Sequence, residues 1–126
     1  MSIGITLDAG ALIALERSDR RVLVLLARAR ETGACITVPA PALAQVLRRP
    51  SRQVSLVRLS RQPTTQVVAL GRADATAVGR LLAASGTADV VDAHVVVCAT
   101  RAGQRVVTSD PEDLHRLYPR LELVSL

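Results

Sequence analysis

Ile3-Gly-Ile-Thr-Leu-Asp-Ala-Gly-Ala-Leu-Ile-Ala-Leu-Glu16 is the stretch whose reading decides the fold class. It opens on a short apolar run suited to a buried strand, and beyond Asp8 its Ala- and Leu-rich continuation suits a helix from about 9 to 16. The same alternation repeats along the chain. Strands are predicted at about 3 to 7, 35 to 38, 66 to 70 and 105 to 108, with a weaker one at 121 to 126. Helices are predicted from 9 to 16 and 20 to 32, from 40 to 60 with a break at Pro50-Ser51, and at 73 to 85, 89 to 102 and 111 to 117. Short strands alternating with longer helices predict an α/β domain on a parallel sheet.

The chain has 126 residues, the size of one domain, and a domain of that size buries roughly two thirds of the surface its unfolded form exposes. No internal repeat, low-complexity tract or linker interrupts it, and the loop-like stretches Arg61-Gln-Pro-Thr-Thr65 and Ser85-Gly-Thr87 are short. The expectation is a single domain over residues 1–126. Tyr118 is the only aromatic residue in a chain that is 49% hydrophobic, so Val, Leu, Ile and Ala must fill the core. Base stacking on aromatic side chains is nearly excluded as a binding mode. The amino terminus reaches its first apolar segment at Ile3 with no basic lead-in or cleavage site, and Asp92 interrupts the longest apolar run. Cytoplasmic localisation with no membrane insertion is therefore expected.

All 16 basic residues are Arg, and the formal charge is +5. Guanidinium forks match phosphate oxygens and stay charged, which suits a polyanionic partner, while a genome rich in G and C gives the same composition. The densest basic stretch holds Arg48, Arg49, Arg52, Arg58 and Arg61. Its alternatives are a solvated helix face and a phosphate-binding surface, for which Arg48, Arg49 and Arg52 are the RNA-binding candidates.

Asp8, Asp89, Asp92 and Asp110 sit at the ends of apolar segments far apart in the sequence. In open parallel sheets, functional groups collect in the crevice beyond the carboxyl ends of the strands, and Asp8 and Asp110 both follow predicted strands on that side. Each has a plain alternative. Asp8 before Ala-Gly-Ala-Leu reads as a helix N-cap, and Ser109-Asp-Pro-Glu-Asp113 places Pro at the first helical position with acids around it. Asp92 is harder to explain away. Val90, Val91, Val95, Val96 and Val97 surround it, and a buried lone carboxylate costs several kcal/mol unless it is paired or metal-bound. If both lie on the helix, Asp89 stands about 60° from Asp92 on one face near the positive end of the helix dipole. Its alternative is an ordinary first-turn acid behind a cap at Thr87.

Three or four carboxylates in one crevice raise each other's pKa values and need a counter-cation. Hard oxygen ligands select Mg²⁺ or Mn²⁺. Such an ion can activate water and polarise a phosphodiester, the chemistry of metal-dependent nucleases. Other chemistries find less support. On a helix, His94 is turned about 200° from Asp92 and is expected to be structural, and His115 is expected at the surface. Cys35 and Cys98 belong to no C-x-x-C or Cys/His pairing and are expected to be buried free thiols. A phosphoacceptor signalling domain also gathers acids at strand ends, but typically needs a Lys this chain does not have.

The segments Leu7-Asp-Ala-Gly-Ala-Leu-Ile-Ala-Leu-Glu16, Val38-Pro-Ala-Pro-Ala-Leu-Ala-Gln-Val46, Asp89-Val-Val-Asp-Ala-His94 and Val106-Val-Thr-Ser-Asp-Pro-Glu-Asp-Leu114, in this order and spacing, resemble a PIN domain, and specifically the VapC toxins of bacterial toxin–antitoxin pairs. The resemblance spans essentially the whole chain. It implies a three-layer α/β sandwich with a central parallel sheet of 4 to 5 strands flanked by helices. It further implies a Mg²⁺- or Mn²⁺-dependent ribonuclease, usually a homodimer, held inactive by a small VapB-type antitoxin. Asp8, Asp92 and Asp110 match its ligand positions, Asp89 and Asp113 are candidate auxiliaries, and Thr108 and Ser109 match hydroxyl positions beside the last acid. One departure stands out. Many members carry Glu where this chain has Gln45, and an amide can bind a metal through its oxygen but brings no charge and cannot act as a base. The alternative this leaves is a degraded module that binds RNA or a protein partner without cleaving.

Overall fold

The structure is a computed structural model that describes residues 4–126. Five strands, β1 (Ile5–Leu7), β2 (Ile36–Pro39), β3 (Thr65–Val68), β4 (Arg105–Thr108) and β5 (Leu123–Ser125), form one sheet in the order β3-β2-β1-β4-β5. Every pairing is parallel. The helices are α1 (Ala9–Glu16), α2 (Arg20–Thr32), α3 (Ala40–Val46), α4 (Val54–Arg61), α5 (Arg72–Ser85), α6 (Val90–Ala102) and α7 (Pro111–Leu117). The predicted α/β fold is therefore present, and the predicted start of the first strand at Ile3 lies outside the described residues.

From β1 the chain steps outward to β2 and β3, then returns across the centre to β4 and β5. Right-handed crossovers in opposite directions put their helices on opposite faces. The packing agrees: α1 packs against α2, α3 and α4, while α5, α6 and α7 pack on one another. The result is three layers, with the reversal of direction falling between β1 and β4. Asp8 follows one of these strands and Asp110 lies just beyond the other.

The sheet centre explains the aliphatic composition. All described residues of β1 and β2 are buried, whereas the edge strands β3 and β5 are partly exposed. Leu7, Leu12, Ile36 and Val107 are among the fully buried side chains, and truncating such a Leu to Ala typically costs about 2–5 kcal/mol. Glycine is required at the start of β1, where a Cβ on Gly4 would lie 1.6 Å from the Cys35 carbonyl oxygen.

Most boundaries shift by a residue or two from the sequence expectation, and two of the differences have a clear local cause. The predicted helix from 40 to 60 is interrupted from Leu47 to Gln53, not only at Pro50-Ser51, with a 3-10 turn at Pro50–Arg52. Gln53 makes this wide break stable by donating to the Val46 carbonyl and accepting the Arg49 amide, both at 2.8 Å. The third strand ends at Val68, not residue 70, because Gly71 already caps α5. Cys98 is buried as expected, but Cys35 is only half-buried. It precedes β2 at the sheet's amino-terminal end and borders an open groove with Gly33 and Pro63. Among the described residues, no single helix is long and apolar enough to cross a membrane.

Candidate active site

Asp8 leaves β1 with an extended backbone and caps α1, its Oδ1 accepting the Ala11 amide at 2.8 Å. It is only 5% exposed. The capping alternative is thus correct. Burial pushes the Asp8 carboxyl above the usual range; the Thr108 hydroxyl and the Ala11 and Gly10 amides pull it partly back, and the charge of Asp110 pushes it up.

Asp92 lies half-buried in the first turn of α6. Burial, then the carboxylates of Asp89, Asp8, Asp113 and Asp110 in that order, push its carboxyl up to about 6. These five acids come from the end of β1, the start of α6, the turn after β4 and the first turn of α7, so the topology brings the predicted aspartates into electrostatic range of Asp92. That range is also where the α6 amino terminus offers a positive dipole end.

Asp89 is placed differently from the helix-face expectation. It precedes the helix with an extended backbone and serves as the α6 N-cap, accepting the Asp92 amide on Oδ1 at 2.9 Å. The cap is therefore Asp89 and not Thr87, whose hydroxyl instead pairs with Ser85 at 2.9 Å. Asp89, Asp92, Asp113 and Arg116 line a cavity of about 190 Å³. Arg116 was not anticipated from the sequence; its Nη1 lies 3.3 Å from Asp113 Oδ1, and the helical i, i+3 spacing of the pair is the signal that points to it.

Asp110 occupies the N-cap position of α7, but its side chain makes no capping hydrogen bond. Its carboxyl is raised, first by the neighbouring Asp113 side chain, then by partial desolvation and the charges of Asp113 and Glu112, with the nearby Asp113 amide opposing. Thr108 is fully buried, and its Oγ1 accepts the Asp110 amide at 2.8 Å. Ser109 is exposed and stands against the first turn of α1, where a Cβ on Gly10 would come within 2.2 Å of its Oγ. Only glycine at residue 10 allows the hydroxyl that position.

Gln45 is exposed near the end of α3 and lines a groove of about 670 Å³ with Ala9, Glu16, Arg17 and Arg48. Asp89 is not among the residues lining that groove, so the amide and the α6 cap stand in separate depressions. Of the RNA-binding candidates, Arg48 borders this groove, while Arg49 and Arg52 are exposed on the interrupted segment beyond it. Arg17, at the end of α1, joins Arg48 there although no basic run announces it. Arg58 faces a cavity between α2 and α4, away from the carboxylates. His94 is fully buried and directs Nε2 to Asp74 on α5 at 2.9 Å, away from the crevice as helix geometry predicts. His115 is exposed, with Nε2 3.1 Å from the Leu121 carbonyl oxygen.

The sequence profile of the PIN domain matches residues 5–118. No curated protein matches the chain. Among solved structures, VapBC2 from Rickettsia felis, bound to a DNA fragment from their promoter, is similar with a TM-score of 0.64 and 12% identity over 96% of this chain and 97% of that one. FitAcB from Neisseria gonorrhoeae gives a TM-score of 0.62 and 15% identity over 96% of each chain. At these identities the likeness is one of fold.

Proposed function

The chain belongs to the PIN domain family, and from that premise we propose that it is a divalent-metal-dependent ribonuclease of the VapC toxin type. The observation that carries this reading is the convergence of Asp8 at the end of β1, Asp92 in the first turn of α6 and Asp110 after β4, close enough that the other acids push the Asp92 carboxyl up. A half-buried acid in that company ionises less readily than a free carboxyl, and a cation beside it would favour the anion.

The donor set fits a hard ion. Carboxylate oxygens of Asp8, Asp92 and Asp110 would hold it, with Asp89 and Asp113 adjacent, and all are oxygen donors suited to Mg²⁺ or Mn²⁺. When bound, the ion supplies a positive charge that polarises the phosphodiester and acidifies water. The chain's own residues do the positioning. Ala11 fixes one oxygen of Asp8 through the cap bond, Thr108 fixes the backbone of Asp110, and Asp89 fixes the start of α6. Arg116 at the acidic cavity, and Arg17 and Arg48 on the neighbouring groove, draw a phosphate backbone toward the crevice without reading its sequence.

The fold shared with VapBC2 supports a cognate VapB-type antitoxin, and we propose a homodimeric, cytoplasmic toxin. Gln45 favours a second reading. An exposed amide where the PIN-domain resemblance implies Glu suits a module that holds RNA or a protein partner without cutting it. Purified protein incubated with single-stranded RNA and Mg²⁺ or Mn²⁺ separates the two. Cleavage that EDTA stops, that added metal restores and that Asp92→Asn removes supports the nuclease; RNA binding with no cleavage under either metal supports the binding module.

A further inference from the structure

Behind the carboxylate site, α5 and α6 enclose a second and chemically different donor set. Asp74 Oδ2 lies 2.9 Å from His94 Nε2, and Cys98 Sγ lies 3.5 Å from the same nitrogen. One donor atom from each residue lies within 4.8 Å of the others, and all three residues are buried. His94 and Cys98 are four positions apart on α6, so both face α5. Arg101 closes the set from outside, donating to Asp74 Oδ1 at 2.6 Å and Oδ2 at 3.2 Å, with its side chain 54% exposed.

A purely structural role leaves something unexplained. The Asp74–Arg101 pair already links α5 to α6, yet a fully buried imidazole and a buried thiol are added beside the same carboxylate. The donors are one carboxylate, one imidazole and one thiol, the mixture favoured by borderline-soft transition metals and not by Mg²⁺. In a tetrahedral zinc site with bonds of about 2.0 to 2.3 Å, donor atoms stand about 3.3 to 3.7 Å apart. The two separations from Nε2, 2.9 and 3.5 Å, need to change by only a few tenths of an ångström, while the Asp74–Cys98 separation, within 4.8 Å, closes by up to about 1 Å.

We propose that Asp74, His94 and Cys98 form a binding site for Zn²⁺, with a water as the fourth ligand, in which the ion takes the place of Arg101 as the cation held by Asp74. The proposal is independent of the nuclease reading. Charge balance supports the exchange. Without metal, the Asp74 anion is neutralised by Arg101; with metal, the carboxylate and a Cys98 thiolate together neutralise Zn²⁺, and Arg101 turns to solvent, which its side chain already half reaches. On binding, the Cys98 S–H proton leaves to solvent as the S–Zn bond forms. The ring proton moves from Nε2 to Nδ1, so that Nε2 presents its lone pair to the ion. Burial keeps the free thiol at about 11, so the proton leaves only when the metal replaces it.

Co²⁺ serves as the spectroscopic probe on the full-length, metal-free protein. The expected result is one equivalent of Co²⁺ giving tetrahedral d–d bands and a thiolate-to-cobalt charge-transfer band, displaced by one equivalent of Zn²⁺ but not by excess Mg²⁺. Cys98→Ala removes the charge-transfer band, Cys35→Ser keeps it, and His94→Gln weakens binding by more than about tenfold. Asp92→Asn leaves all of this unchanged. Arg101→Gln, which alters a side chain at the surface and keeps the three donors, tightens binding because the competing cation is gone. Circular dichroism checks that each variant is folded. The proposal is overturned by any one of three results: no stoichiometric band in either the wild type or Arg101→Gln, a band that survives Cys98→Ala, or weaker binding in Arg101→Gln.

Discussion

Asp89 Oδ1 accepts the Asp92 amide hydrogen at 2.9 Å, so the residue that caps α6 also holds its negative charge against the carboxylate three positions on. The cap bond stabilises the helix while the charge opposes ionisation of Asp92. Local folding and the carboxylate cluster therefore pull in opposite directions, and the conflict has a pH signature.

Asp92 is raised from 3.8 to about 6 in the folded chain. The folded state therefore keeps this proton where the unfolded chain has lost it. The associated stability is fully present below about pH 4 and is lost as pH rises through about 6. Asp74 acts in the opposite sense: Arg101 and then His94 hold its carboxyl down to about 2, so its contribution is present above about pH 4 and is lost only as pH falls toward 2. Thermal unfolding in EDTA should show a midpoint that falls between about pH 4 and 6.5, and Asp92→Asn should flatten that fall. Parallel curves for the two proteins would show that Asp92 is not under the pressure described.

Asp8 has two roles that substitution can separate. Asn caps a helix about as well as Asp, whereas Ala does not. Asp8→Asn should therefore keep the Ala11 bond and the wild-type unfolding temperature, or exceed it in the absence of metal, while losing most cleavage. Asp8→Ala should lose cleavage and also about 1 kcal/mol of stability. Chemical denaturation alongside the RNA assay measures both, and near-wild-type cleavage by Asp8→Asn would remove this residue from the proposed metal ligands.

Much of the fold was legible because the elements are short, aliphatic and bounded by clear signals: Asp8 and Asp19 cap helices, and Gly33, Gly86 and Gly103 end them in left-handed conformations. The boundaries that were not legible depend on contacts remote in sequence or on a single side chain. Gln53 stabilises the break after Val46 through two hydrogen bonds that no periodicity reveals. At the site, strand-end position pointed to Asp8 and Asp110, and an acid within an apolar helix pointed to Asp92. The cap geometry of Asp89 was missed because helix periodicity assumes that a residue lies within the helix, and here α6 starts one residue later. Asp74 stood unnoticed because its partners, His94 and Arg101, are 20 and 27 positions away.

Gly10 and Ser109 form a testable steric pair. A Cβ at residue 10 would meet Ser109 Oγ at 2.2 Å and Cβ at 3.3 Å, so Gly10→Ala must turn the hydroxyl away. Because Ala also favours the helix by about 1 kcal/mol over Gly, net stability should change little. If the Ser109 hydroxyl orients a group in the site, Gly10→Ala and Ser109→Ala should reduce cleavage to the same extent, and the double variant should fall no further. Additive losses would mean that the two positions act separately.

Gln45 and Asp89 line separate depressions, which makes their contributions to metal binding separable. Gln45 shares its groove with Ala9, the residue immediately after Asp8, so Gln45→Glu adds a carboxylate on that side of the crevice, where Arg17 and Arg48 offset part of its charge. Mn²⁺ binding should tighten, and cleavage should stay equal or become faster. Asp89→Asn preserves the cap bond to Asp92, since Asn accepts as Asp does, and removes only the charge facing the cavity shared with Asp92 and Asp113. Stability should hold while Mn²⁺ affinity and cleavage fall together. Calorimetric titration with Mn²⁺ and a single-turnover assay on single-stranded RNA measure the two quantities on the same preparations. Unchanged Mn²⁺ affinity in Asp89→Asn would confine that residue to capping α6, and tighter Mn²⁺ binding with faster cleavage in Gln45→Glu would identify the amide as the feature that limits this chain.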